Sequence, residues 1–299
     1  MLWIINGLIY GFFMALYTIV NQKHHFNGYV LGVWRGFGIS LLFLPLLPYI
    51  QPPDSLYNWE ILIAQGILIG IYDSHIFFAS ARYGAILTSR LLVLSVLLTM
   101  GAWWIITPEK FLLLLKKPDL FMTLLLCVGG FCVCYWFMLK SKISKQALMY
   151  MFPAITALAA MSILTKEIAL MSENVWSNIV YYLTIATSIS GIYNFILLAI
   201  TQHKNTSNIF KMIFKPEIIK TGIYIVGFSG ALITAKTLAM RMAPNPAYVV
   251  TLLLTAPIFA NLLSNGHKYD RQANKAGISM IFFLILLMLL TAGRFGVTD

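Results

Sequence analysis

Acidic residues are scarce in this chain, ten in 299 against 21 lysines and arginines. Charged residues of both signs make up only 10% of it, where a soluble domain carries about a quarter. That deficit, with 60% hydrophobic residues, excludes an ordinary water-soluble fold and reads as an all-α integral membrane protein crossing the bilayer many times. The net charge of +11 does not point to nucleic acid, because the basic residues sit almost entirely between apolar runs, where they anchor loops to anionic headgroups. Only three cysteines occur, Cys127, Cys132 and Cys134, all within one apolar run. With no Cys-x-x-Cys pair and no nearby histidine, neither a disulfide framework nor a metal site is expected. No Gly-x-x-x-x-Gly-Lys-Ser/Thr phosphate loop is present, which argues against direct ATP drive, and no cofactor is expected. The start, Met1-Leu-Trp-Ile-Ile-Asn6, lacks a basic leader, and its apolar stretch continues to Val20 without a small-residue cleavage site, so it reads as a retained first span.

What the chain does have is long apolar runs. A spanning helix needs about 20 mostly apolar residues. Ten runs qualify: 2–20, 28–49, 60–81, 85–106, 119–139, 147–165, 177–200, 220–241, 246–264 and 274–293. Turn residues punctuate them, as at Gln51-Pro-Pro-Asp54, Lys140-Ser-Lys-Ile-Ser-Lys145 and Pro244-Asn-Pro246. Several connections are short enough to make consecutive helices antiparallel neighbours, and none could hold a soluble domain. Two connections, Phe111–Lys117 and Ile209–Lys215, mix lysines with apolar residues as interfacial segments do.

The chain also repeats itself when folded near residue 145. The third span, the Ala81-Arg-Tyr-Gly-Ala85 turn and the fourth span parallel the eighth span, Ala239-Met-Arg-Met-Ala-Pro-Asn-Pro246 and the ninth. Halves of five spans each, 1–145 and 146–299, must be inverted relative to one another, a recurring plan of secondary transporters with the substrate near the midplane. The loop charges are uneven: six on the side of the termini (Lys110, Lys116, Lys117, Lys166, Arg241 and Arg294) against thirteen on the other. By the positive-inside rule the thirteen face the cytoplasm and the termini lie outside.

Several local sequences resemble the drug/metabolite transporter superfamily, of the ten-span EamA type. They are Gly7-Leu-Ile-Tyr-Gly11, Arg35 in the second span and Ala79-Ser-Ala-Arg-Tyr-Gly-Ala85 in the first half. In the second half they are Ala239–Ala247, Leu254-Thr-Ala-Pro-Ile-Phe-Ala260 and Ala276-Gly-Ile-Ser279. The motifs cover the whole chain but are loose and concern helix packing. The resemblance implies two inverted five-helix repeats around a central cavity, and alternating-access movement of small metabolites, often amino acids. It also implies the bacterial cytoplasmic (inner) membrane with both termini cytoplasmic, against the loop charges. The chain departs from the pattern late in the fourth span, where Leu94-Ser-Val-Leu-Leu98 lacks the proline that Pro257 supplies in the ninth, and Glu109 only roughly matches a glutamate after the fourth span.

The stretch Ile71–Arg90 carries Asp73, His75, Arg82 and Arg90 between runs built for hydrocarbon. A charge there costs about 2.5–3.5 kcal/mol on insertion scales, so it has a partner or a job. Asp73 lies nine residues, roughly 13 Å of helix, from Arg82 and so near the middle of a core about 30 Å thick. It either pairs with Arg90 across the hairpin or faces the cavity to bind a substrate cation or a coupling proton. His75 is about 200° around the helix from Asp73 and is read as a packing residue or a proton relay. Arg35 can snorkel as an anchor or bind a carboxylate. Lys236 sits about one helical turn shallower than Asp73 in the repeat, and could hold the carboxylate of an amphoteric substrate while Asp73 holds its amine. Trp3, Tyr10, Trp103 and Trp104 are read as interfacial belt residues, while Tyr72, Tyr193 and Asn194 are candidate lining residues.

Gly227-Phe-Ser-Gly230 spells the motif of an intramembrane serine protease, but the only later histidine, His267, lies in a loop, so the base is missing and no enzyme is expected. A channel would need a selectivity filter that the sequence does not contain. The reading is therefore a secondary transporter of a small polar metabolite, amino-acid-like by preference, acting as monomer or homodimer in the lipid bilayer. A lipid or amphiphile flippase and a non-transporting assembly factor are the alternatives.

Overall fold

The computed structural model describes residues 2–138, 142–202, 206–243 and 245–263, together with Ser279, Phe282 and Leu286. The expected tenth span at 274–293 and His267 therefore lie outside the described residues, apart from those three positions. Among the described residues there is no strand, and eight helices are long and apolar enough to cross a membrane. The chain is an all-α, multi-pass membrane protein in kind.

The helices are α1 (Leu2–His24), α2 (Gly28–Phe43, continued by a 3-10 turn Leu44–Tyr49), α3 (Leu56–Tyr83), α4 (Ala85–Leu91), α5 (Leu94–Ile106), α6 (Pro108–Leu115) and α7 (Pro118–Met138). After them come α8 (Lys142–Leu170), α9 (Val175–Tyr181), a π-helical turn Tyr182–Ala186, α10 (Thr187–Thr201), α11 (Thr206–Ile213), α12 (Pro216–Met242), α13 (Pro246–Leu252), a 3-10 turn Leu253–Thr255 and α14 (Ala256–Leu263). Several helices outrun their apolar cores. The third begins at Leu56 and not at 60 because the Ser55 hydroxyl caps it, accepting from the Asn58 amide at 3.2 Å. It ends at Gly84, whose φ of 84° no other residue adopts cheaply. The expected fifth span is the shorter apolar helix Phe121–Phe137 inside α7. Both lysine-bearing connections contain short helices, α6 and α11, with Leu112, Leu115 and Phe210 exposed.

Two runs expected as single helices are broken, 85–106 and 246–264, and each has a first segment of seven residues, α4 and α13. In the second the cause is Pro257, which has no amide for the ladder; the preceding 3-10 turn closes with the Ala256 amide on the Leu253 carbonyl. No proline serves the first. There hydroxyls bond back onto the helix, Thr88 Oγ1 to Gly84 O and Ser89 Oγ to Ala85 O at 2.8 Å, and Ser95 Oγ to Leu92 O at 2.6 Å, a pattern that bends helices.

In lipid the helices gain little from hydrophobicity against one another, so small residues that let backbones approach decide the packing. The main pairings are α1 with α12, α3 with α8 and α2 with α10. At the last, Gly36 lies so close to Gly191 that a Cβ would overlap the facing backbone, including the Thr187 carbonyl at 2.7 Å. Backbone cannot step aside as a side chain can, so Gly36→Val should cost about 1–3 kcal/mol or more in detergent unfolding. A neutral result would mean that these helices sit further apart.

At the end of the bundle where α8 and α12 finish, each helix caps the other. Lys166 Nζ donates to Met240 O and Ala243 O, both at 2.7 Å. Arg241 Nη1 donates in return to Ala169 O and Ser172 O, both at 2.6 Å. These carbonyls are the orphaned acceptors of the two last turns, and a cation suits the negative helix end. Lys166→Met should destabilise by about 1.5–3 kcal/mol, the range for hydrogen bonds to charged groups, and speed hydrogen exchange around 240–243. Unchanged exchange there would show that the cap is dispensable. Lys166 and Arg241, tallied above as loop charges, are thus helix caps.

Candidate functional site

The site is a polar seam through the helix interior. On α1, Tyr10, Met14 and Tyr17 follow one another at helical spacing and form one stripe, each 1% exposed. On α3, Gln65, Tyr72 and Asp73 face inward, and α10 adds Ser190 and Asn194. Arg35 on α2 and Lys236 on α12 are buried too, at 3% and 2% exposure.

Asp73 is wholly buried and fully engaged. Arg35 Nη1 pairs with its Oδ2, Tyr17 donates to Oδ1 at 2.7 Å, and Ser190 Oγ donates to Oδ2 at 3.4 Å. The guanidinium also lies 5.5 Å from the Tyr17 ring centroid, within cation–π reach. The expected alternatives, Arg90 across the hairpin or a substrate amine, give way to Arg35 of the neighbouring span. Arg35 accordingly turns inward and does not snorkel to the surface. Depth explains the choice: Arg35 is seven residues into α2 and Asp73 ten residues before the end of α3, on helices whose ends meet on one side. Arg90, 8% exposed, belongs to the separate short helix α4 and is not among the described partners of the carboxylate.

A second polar group lies nearer the capped end. Gln65 Nε2 donates to Tyr182 Oη at 2.5 Å and to Thr165 Oγ1 at 3.2 Å, joining α3, α8 and the π-helical turn. Tyr72 donates to Met14 Sδ at 3.4 Å. Among the described residues Lys236 Nζ has no hydrogen-bond partner; it stands 6.0 Å from the Tyr10 ring centroid. Arg35 Nε, Gln65 Oε1 and Asn194 Oδ1 are likewise buried without a hydrogen-bond partner among the described residues.

The other expected site residues are dispersed. Asn194 is buried, its Nδ2 donating to Ser190 O at 2.9 Å and its amide packed on Gly32. Tyr193 is half-buried over Gly70 and stands apart from the charged groups. His75 is half-buried, with Nδ1 at 2.8 Å from Ile71 O and its ring 5.5 Å from Tyr150. Tyr10, expected in the interfacial belt, lies instead beside Lys236. Tyr17, Gln65, Tyr182 and Ser190 were not singled out by the sequence at all. The stripe Tyr10, Met14, Tyr17 is a signal that could have found two of the tyrosines, since an interfacial belt residue has no reason to recur at helical spacing.

Two clefts open at the surface near the seam. One, of about 410 Å³ and almost wholly apolar, lies between α1, α2 and α12 and includes Gly227, Gly230 and Ala235, the residue next to Lys236. The other, of about 660 Å³, lies between the Tyr49–Asp54 loop and Met171–Asn178 and is lined by Asp54, Glu173 and several amides and hydroxyls. Ser229, the serine of the Gly-Phe-Ser-Gly motif, is buried without a hydrogen-bond partner.

No protein-family model matches the chain, and no curated protein matches it.

Proposed function

We propose that this protein is a secondary transporter that carries a small polar metabolite across the membrane by alternating access. The observation that carries the reading is the polar seam: an ion pair and, among the described residues, an unpartnered cationic side chain, both deep inside helices otherwise made for hydrocarbon. Such groups are costly there and mark the path of a polar solute. The helix pairing supports the ten-span plan of two inverted halves, 1–145 and 146–299, around a central cavity. The first helix of each half lies on the third of the other, α1 on α12 and α8 on α3, and the second helices pair with one another. The fourth helix of each half breaks after seven residues. Interrupted helices in matching positions of two halves are a pointer to a transport site in such proteins. This plan is the one that the resemblance to the EamA type of drug/metabolite transporter implies, and with that resemblance we place the protein in a bacterial inner membrane.

The apolar groove beside Ala235 favours one second reading, a flippase that draws the head of an amphiphile toward Lys236 while its tail stays in the groove. Reconstitution into liposomes with labelled amino acids, amines, carboxylates and fluorescent lipids separates the two. Saturable uptake of a soluble metabolite, accelerated by the same metabolite trapped on the far side, is the expected result. Lipid scrambling without such counterflow would establish the flippase instead, and the absence of any saturable flux would end the transport reading.

A further inference from the structure

From the same seam we infer that the solute bound is a monoanion whose carboxylate pairs with Lys236. This rests on the transport reading only for its movement, not for its binding. Among the described residues three charge-bearing side chains lie in the seam: Arg35 and Asp73 pair with one another, and Lys236 has no counter-charge. Asp73 already accepts from Arg35, Tyr17 and Ser190, and its charge is balanced by the Arg35 guanidinium, so it offers a substrate ammonium no uncompensated negative charge. A zwitterion's amine would thus meet Arg35 and Lys236 with no uncompensated carboxylate among the described residues to receive it.

Lys236, by contrast, has everything but its counter-charge. It is 2% exposed, on a helix interior, with three donors and no acceptor. The Tyr10 ring at 6.0 Å is at the limit of a cation–π contact and cannot replace an anion. A carboxylate on Nζ would complete an ion pair in a water-poor interior, where charge-assisted hydrogen bonds are strongest. Arg35 Nε is a further donor without an acceptor, and Gln65 Oε1 an acceptor without a donor, suited to a hydroxyl elsewhere on the solute. One positive charge matches a carboxylate; a phosphate dianion would leave a negative charge uncompensated. Tyr10 beside Lys236, with Tyr72 and Tyr182 also buried in the seam, suits an apolar or aromatic body.

The test measures binding and movement separately on the full chain. Purified protein in detergent is followed by thermal unfolding with phenylacetate, hexanoate, phenethylamine, phenylalanine and inorganic phosphate, in the wild type, Lys236→Arg and Lys236→Met. The expected result is a rise in Tm with phenylacetate and hexanoate, retained in part by Lys236→Arg. Lys236→Met should weaken carboxylate binding at least tenfold, and phenethylamine should have no effect. Stabilisation by the amine or by phosphate in preference to the carboxylates overturns the inference. So does wild-type carboxylate binding in Lys236→Met, or no effect of any probe. Proteoliposome flux then divides the two proposals. Carboxylate binding at Lys236 without flux would remove the transport reading and leave the anion site. Amine flux unchanged in Lys236→Met would do the reverse.

Discussion

Asp73→Asn is expected to destabilise the protein by about 3–5 kcal/mol, the cost of breaking a buried ion pair by removing one partner. The asparagine keeps a carbonyl for Tyr17 to donate to, so the loss falls on Arg35, left charged at 3% exposure with no carboxylate in reach. Arg35→Met should cost a similar amount, because it strands the carboxylate. The informative variant is the double one. In Arg35→Met/Asp73→Leu no charge is left unpaired, and replacement of a buried pair by apolar groups is often neutral or stabilising. Denaturant unfolding in a single detergent of the wild type, Arg35→Met, Asp73→Leu and the double variant closes the cycle and gives the coupling energy directly. Additive single effects would mean that the two side chains are not paired in the membrane.

Lys236→Met should move stability the other way, raising it by about 2 kcal/mol or more without ligand, on the order of the penalty for a buried ion lacking a partner. The methionine keeps the apolar stem against Tyr10 and removes only the ammonium. Opposite signs for Asp73 and Lys236 in one unfolding series would separate a residue that holds the bundle together from one held in reserve for a ligand. A Lys236→Met protein less stable than wild type would mean that the ammonium already has a structural partner.

The residue ranges of the spans were legible because the bilayer imposes a length, and nine of the ten apolar runs correspond to described helices. The breaks at Leu92–Val93 and Leu253–Thr255 were not read. Pro257 gave a cue in one run, whereas in the other the cause is Thr88, Ser89 and Ser95, hydroxyls that more often sit harmlessly in a helix. Asp73 stood out because a lone carboxylate in hydrocarbon is conspicuous in any sequence. Its partner did not, because Arg35 is 38 residues away and their meeting depends on how α2 and α3 lie side by side, which apolar periodicity does not encode. Charges that are near in sequence, such as Arg90, drew the eye for the wrong reason. The isolation of Lys236 was beyond sequence altogether, since it is a property of what surrounds the ammonium and not of the lysine.

The π-helical turn at Tyr182–Ala186 has a mechanical consequence. A wide turn interrupts the i to i−4 ladder, so the span from Val175 to Thr201 is two rods joined by a swivel and not one rod. Tyr182, tied to Gln65, opens the turn, and Ser190, tied to Asp73, lies on the rod beyond it. A twist of the α9 segment can therefore be taken up within the turn and not be passed along this span to Ser190, while the unbroken α3 holds Gln65 and Asp73 at a fixed separation.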